Sequence, residues 1–146
     1  MTEKHSITIL MAEDDPDDRM MVQDAFEESR LANDLHFVED GEELMDYLHQ
    51  KGAYSAMNAP RPGVILLDLN MPRKDGRQAL KEIKADPQLR RIPVVVLTTS
   101  KEEEDIVKSY DMSVAGFIVK PVTFEGLVTA LKTLEKYWLE IVELPV

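Results

Sequence analysis

Four short polar stretches carry the side chains that could do chemistry together. Glu13-Asp14-Asp15 follows the aliphatic run Ile7–Ala12, and Asp68 follows Val64-Ile65-Leu66-Leu67. Thr98 follows Val94-Val95-Val96-Leu97, and Lys120-Pro121 follows Gly116–Val119. Carboxylates crowded together repel one another and take up protons unless a cation intervenes. Magnesium suits such a group, because it prefers oxygen ligands in octahedral geometry and keeps several waters, which leaves positions for a phosphoryl oxygen. Lys120 supplies a point charge to the same group, and Thr98 a hydroxyl donor. A carboxylate ending four consecutive aliphatic residues is poor structural filler. Asp68 is therefore read as a nucleophile of the kind that forms an aspartyl phosphate. Transfer to it would rest on positioning and charge neutralisation, shared between the metal and Lys120.

These stretches act together only if the fold gathers them. Five aliphatic or β-branched runs qualify as strands: Ile7–Ala12, Leu35–Val38, Val64–Leu67, Val94–Leu97 and Gly116–Val119. The third and fourth are apolar nearly throughout, as parallel strands covered on both faces must be. Helical stretches lie between them. Asp15-Pro16-Asp17-Asp18 offers an N-cap, a proline at the first helical position and two acids at the positive helix end. Val22 with Phe26, Leu44 with Leu48, and Leu80 with Ile83 supply apolar pairs at helical spacing. Ser100-Lys101-Glu102-Glu103 reads as a capping box, and Thr123 as the cap of the last helix. Alternating strands and helices imply an α/β fold with right-handed crossovers. The expectation is a flavodoxin-like, doubly wound, five-stranded parallel sheet of order 2-1-3-4-5, with an extended C-terminal helix. In such sheets the crevice lies at the carboxyl ends of the strands, where all four polar stretches fall. Residues 1–146 read as one domain with a core of about 6–134 and a helical extension and tail over 135–146. Lys51–Pro62 is the one long irregular connection.

Composition narrows the function. The chain has 146 residues, of which 44% are hydrophobic and 31% charged, as in a folded globular domain. Its net charge of -11, from 28 acids against 17 bases without a basic cluster, argues against nucleic acid as a partner. The absence of cysteine excludes disulfides, thiolate nucleophiles and cysteine-based zinc sites. His5, His36 and His49 show no metal-ligand spacing. The longest apolar run near the start, Ile9 to Ala12, is too short for a signal peptide or a membrane span, so a cytoplasmic protein is expected.

The stretches ILMAEDD, VILLDLNMPRKDG, PVVVLTTS and GFIVKP, in this order and at these strand ends, resemble the receiver domain of bacterial two-component response regulators. The resemblance runs from Ile7 to Leu134. It implies that Asp68 is the phospho-acceptor, that Asp14 binds Mg2+ directly and Glu13 through water, and that Asn70 gives the metal its backbone carbonyl. Thr98 and Lys120 would contact the bound phosphoryl group. Phe117 would be the switch aromatic that turns inward with Thr98, although many receivers carry tyrosine there. Asn70 and Ser100 would tune the phosphate lifetime, a role that for Ser100 stands level with helix capping. The implied donor is a sensor histidine kinase, and the output a downstream protein or an onward phosphotransfer partner. The long connection before the third strand, the lack of an output domain and the ending YWLEIVELP resemble, more narrowly, the small regulators paired with bacteriophytochromes and cyanobacterial phytochromes.

Other readings stand beside these. Asp15, Asp17 and Asp18 fit helix-start residues better than metal ligands, and Asp75 a turn or cap before Gly76. Phe117 also fits plain core. In the last helix Phe124, Leu127, Leu131, Leu134, Trp138 and Ile141 recur at steps of three and four. Tyr137, Trp138, Ile141 and Val142 run past the expected core, and apolar surface of that kind needs cover. A homodimer through this helix and the neighbouring surface of the fourth helix and fifth strand is the expectation, with a tail folded over its own domain as the alternative. A receiver fold acting only as an interaction module is countered by the intact set Asp14, Asp68, Thr98 and Lys120. A magnesium-dependent phosphatase would want a second acid two places after Asp68, where Asn70 stands. A flavin site would want a phosphate-cradling loop after the first strand.

Overall fold

The computed structural model describes residues 8–29, 34–55, 57–69, 71, 76–98, 114, 116–119, 125, 126, 128, 129 and 132. Among them, strands β1 (Thr8–Ala12), β2 (Asp34–Val38), β3 (Val64–Asp68), β4 (Val94–Thr98) and β5 (Gly116–Val119) alternate with helices α1 (Pro16–Ser29), α2 (Gly41–His49) and α3 (Gly76–Ala85). The strands form one parallel sheet of order β2-β1-β3-β4-β5, as expected. Two strands run one residue further than their apolar runs. Asp68 pairs with Leu97, and Thr98 with Val119. Pairing is a property of the backbone, so a polar side chain at the last position does not end the ladder.

Alternation along the strands builds two cores. Leu10, Ala12, Ile65, Leu67, Val94 and Val96 pack on one face with Leu44 of α2 and Leu80 and Ile83 of α3. Ile9, Met11, Val64, Leu66, Val95 and Leu97 pack on the other with Val22, Ala25 and Phe26 of α1. Every residue of β3 is buried, which is why its sequence reads as continuous aliphatics ending in Asp68. α1 opens as its sequence implies: the Asp15 carboxylate accepts the Asp17 N–H at 2.8 Å, with Pro16 at the first helical position. α2 is capped by Asp40, whose carboxylate accepts the Glu43 N–H at 2.8 Å. Among the described residues no helix is long and apolar enough to cross a membrane. The expected C-terminal helical extension lies outside the described residues.

The connection after α2 is ordered by side chains from that helix and its C-cap residue. Tyr47 donates its hydroxyl to the Pro60 carbonyl at 2.9 Å, and Gln50 its amide to Ala59 at 3.2 Å. Tyr54 donates back to the Glu43 carboxylate at 2.9 Å. Arg61 reaches the Gln88 carbonyl at 2.6 Å in the turn before β4. Burial, then the charge of Asp34, pushes the Tyr47 phenol up to about 12. Burial and then the bond to Glu43 push Tyr54 up to about 12 as well. Unfolded phenols titrate near about 10, so the folded chain keeps these protons at a pH where the unfolded chain has lost them. This contribution is whole below about pH 10 and is lost as pH rises toward about 12. The double variant Tyr47→Phe/Tyr54→Phe is expected to start less stable at about pH 9, by roughly 1–2 kcal/mol for its lost hydrogen bonds. Between about pH 9 and about pH 11 it is expected to lose less stability than the parent in thermal melts. Equal losses in the two proteins would refute the assignment.

Candidate phosphoryl-acceptor site

The sheet brings together acids that are far apart in the chain. β1 and β3 are neighbours, with Ala12 opposite Leu67, so the residues that follow β1 meet the last residue of β3. Among the described residues Glu13, Asp14 and Asp68 form one group that could hold a metal ion, each offering a carboxylate oxygen within 4.8 Å of the others. Glu13 is 0% exposed and Asp68 2%, whereas Asp14 is open to solvent. Two buried carboxylates with a third open to solvent make a cluster of hard oxygen donors. Their like charges repel, and a divalent cation held among them relieves that repulsion.

The backbone around the acids is tied on several sides. The Glu13 N–H donates to the Val38 carbonyl at 3.0 Å, joining the ends of β1 and β2. The Asp15 N–H donates to the Glu13 carboxylate at 3.3 Å. Arg19, from the first turn of α1, donates to the Glu13 carbonyl at 2.8 Å and pairs with Glu39 at 3.4 Å. Beyond Asp68, the Leu69 N–H donates to Leu97 at 3.2 Å and the Gly76 N–H to Leu69 at 3.1 Å. Gly76 opens α3 against the Asp68–Leu69 backbone, and a Cβ there would meet the Asp68 carbonyl oxygen and lie 2.6 Å from Leu69 Cα.

The structure thus gathers three of the acids singled out from sequence, and it assigns Asp15 to the helix cap. The backbone of Thr98 stands beside Val119 at the same sheet edge, one register step on from Asp68 and Leu97. Phe117 pairs through its backbone with Val96. The side chains of Thr98 and Phe117, and the whole of Asn70, Ser100, Lys120, Tyr137, Trp138, Ile141 and Val142, lie outside the described residues. Sequence reasoning missed Arg19 and Gly76. Neither carries a local signal, since what each touches is set by the fold.

A parallel sheet of this order with acids at the carboxyl ends of β1 and β3 defines a receiver, and the chain belongs to the response regulator receiver domain family, whose pattern matches residues 9–132. It is 44% identical over 137 residues to the response regulator Rcp1 of Synechocystis sp., covering 94% of this chain and 92% of Rcp1. Among solved structures it resembles the phosphorylated cyanobacterial phytochrome response regulator RcpA, with a TM-score of 0.80 and 46% identity over 92% of this chain and 95% of that one. It also resembles the Mn2+-bound form of Rcp1, with a TM-score of 0.79 and 44% identity over 96% and 99% of the two chains.

Proposed function

We propose that this chain is a phosphorylation switch that accepts a phosphoryl group on Asp68 from the phosphohistidine of a sensor histidine kinase, in a Mg2+-dependent reaction. The observation that carries this reading is the group Glu13, Asp14 and Asp68 at the carboxyl ends of two adjacent parallel strands. Three carboxylates suit a hard cation that keeps part of its water shell. Asp14 and Asp68 would hold it with the Asn70 carbonyl, and Glu13 through water. When bound, Mg2+ supplies positive charge against the oxygens of the phosphoryl group. A carboxylate oxygen of Asp68 attacks phosphorus, the new P–O bond forms, and the P–N bond to the imidazole breaks with its electron pair leaving on nitrogen. Thr98 and Lys120 contact the transferred group, and Phe117 carries the change to the surface. The same site, by catalysing hydrolysis of its own acyl phosphate, resets the switch.

The Mn2+-bound structure of Rcp1 supports a divalent ion, and the likeness to RcpA supports a phytochrome-type kinase as the donor. A net charge of -11 supports protein partners over nucleic acid. The apolar residues Tyr137, Trp138, Ile141 and Val142 support a homodimer through the last helix.

Intact mass after incubation with acetyl phosphate tests the reading. One phosphoryl adduct is expected with Mg2+ and none with chelator present. No adduct with any donor or kinase would leave a phosphate-independent interaction module. Light scattering on the same samples is expected to report a dimer, and a monomer in both states would remove that part of the reading.

A further inference from the structure

The Arg19 side chain is mostly covered, at 20% exposure, and one of its guanidinium nitrogens lies 2.8 Å from the Glu13 carbonyl oxygen. That carbonyl belongs to the peptide unit joining Glu13 to Asp14. The preceding peptide is already fixed, because the Glu13 N–H is bonded to Val38. With both held, the backbone can no longer turn at Glu13, and Asp14 leaves that peptide in one direction. The second nitrogen pairs with Glu39, which is 65% exposed, at 3.4 Å.

We propose that Arg19 is a positioning residue for the cation site: its bond to the Glu13 carbonyl fixes the peptide between the two acids, so that Glu13 and Asp14 face Asp68 together. This rests on the reading of Glu13, Asp14 and Asp68 as a cation site. Positioning and bare charge predict opposite outcomes. A guanidinium near the site repels a metal ion, so if charge were its main effect, removing it would tighten binding. If the bond to the carbonyl is what matters, removing it loosens the acids and weakens binding. Outer partners of metal ligands commonly carry about 10- to 100-fold in affinity.

The test is calorimetric titration of the full chain with Mg2+. Arg19→Met, which keeps the length but loses donor and charge, is expected to bind about tenfold more weakly or worse. Arg19→Lys keeps the charge and a donor and is expected to fall between Met and the parent. Glu39→Gln breaks only an exposed pair and is expected to stay within about twofold. Melting curves with and without Mg2+ separate positioning from general loss of structure. The rise in melting temperature produced by the metal is expected to shrink in Arg19→Met. Both curves falling together with that rise intact would overturn the proposal, as would unchanged or tighter binding. If Arg19→Met fails to fold, Arg19→Gln keeps a planar donor without charge and is read by the same rule. A parent chain that binds no Mg2+ would sink the cation site and this role with it. A parent that binds, beside an Arg19→Met that binds equally, would sink the role alone.

Discussion

Asp68→Asn is expected to leave the chain folded and to abolish the phosphoryl adduct entirely. The change preserves shape and removes the anionic oxygen proposed to attack phosphorus, and an amide oxygen is a far weaker nucleophile. It also removes one of three carboxylates from the proposed cation site, so Mg2+ binding is expected to weaken in the same variant. Intact mass and calorimetry read the two effects separately. The alternatives within reach are specific. Asp14 is exposed and Glu13 is buried, so an adduct that persisted in Asp68→Asn would move the nucleophile to Asp14. Loss of the adduct at a Mg2+ concentration that calorimetry shows to saturate the variant, with retained circular dichroism, would assign it to Asp68.

Gly76→Ala is expected to lower stability sharply and to slow phosphorylation at saturating Mg2+. The added Cβ would meet the Asp68 carbonyl oxygen and lie 2.6 Å from Leu69 Cα and 2.9 Å from the Asp68 carbonyl carbon. All three are backbone atoms of buried residues, so no side chain can swing aside. Alanine is favoured over glycine inside a helix by about 1 kcal/mol, and less at a first position such as this one. Overpacking a core costs about 1–3 kcal/mol even where side chains can adjust. The clash therefore outweighs the propensity gain, in a domain whose total stability is on the order of 5–15 kcal/mol. The displaced backbone carries Asp68, the proposed nucleophile, so the rate should suffer along with the fold. A urea midpoint equal to the parent's would refute this account of the contact.

Much of the architecture was legible because parallel strands buried on both faces spell out long aliphatic runs. β3 and β4 stand out for that reason, and Asp68 is conspicuous as the acid that ends one of them. The strand order followed from alternation with helices, and the cap at Asp15 from residue types that satisfy free N–H groups. Asp40, with Glu43 three places on, is an equally readable cap that the apolar spacing of Leu44 and Leu48 overshadowed. Other features left no trace in pattern. Arg19 matters through a backbone carbonyl, which every residue possesses. Gly76 matters through the closeness of another segment's main chain. The Lys51–Pro62 stretch looks structureless because Tyr47 and Gln50 hold it by its carbonyls.

The seating of Glu13 and Asp14 beside Asp68 depends on β1 lying against β3, two strands separated in the chain by α1, β2 and α2. Before those strands meet, Asp68 is distant from Glu13 and Asp14 and its charge hardly interacts with theirs. The repulsion between Asp68 and the other two arises only once β1 and β3 pair, and a cation bound there has nothing to hold until then. Where that pairing follows the folding barrier, Mg2+ should act on the rate of unfolding far more than on the rate of folding. Magnesium would then be a latch on a finished sheet, not a nucleus for building one.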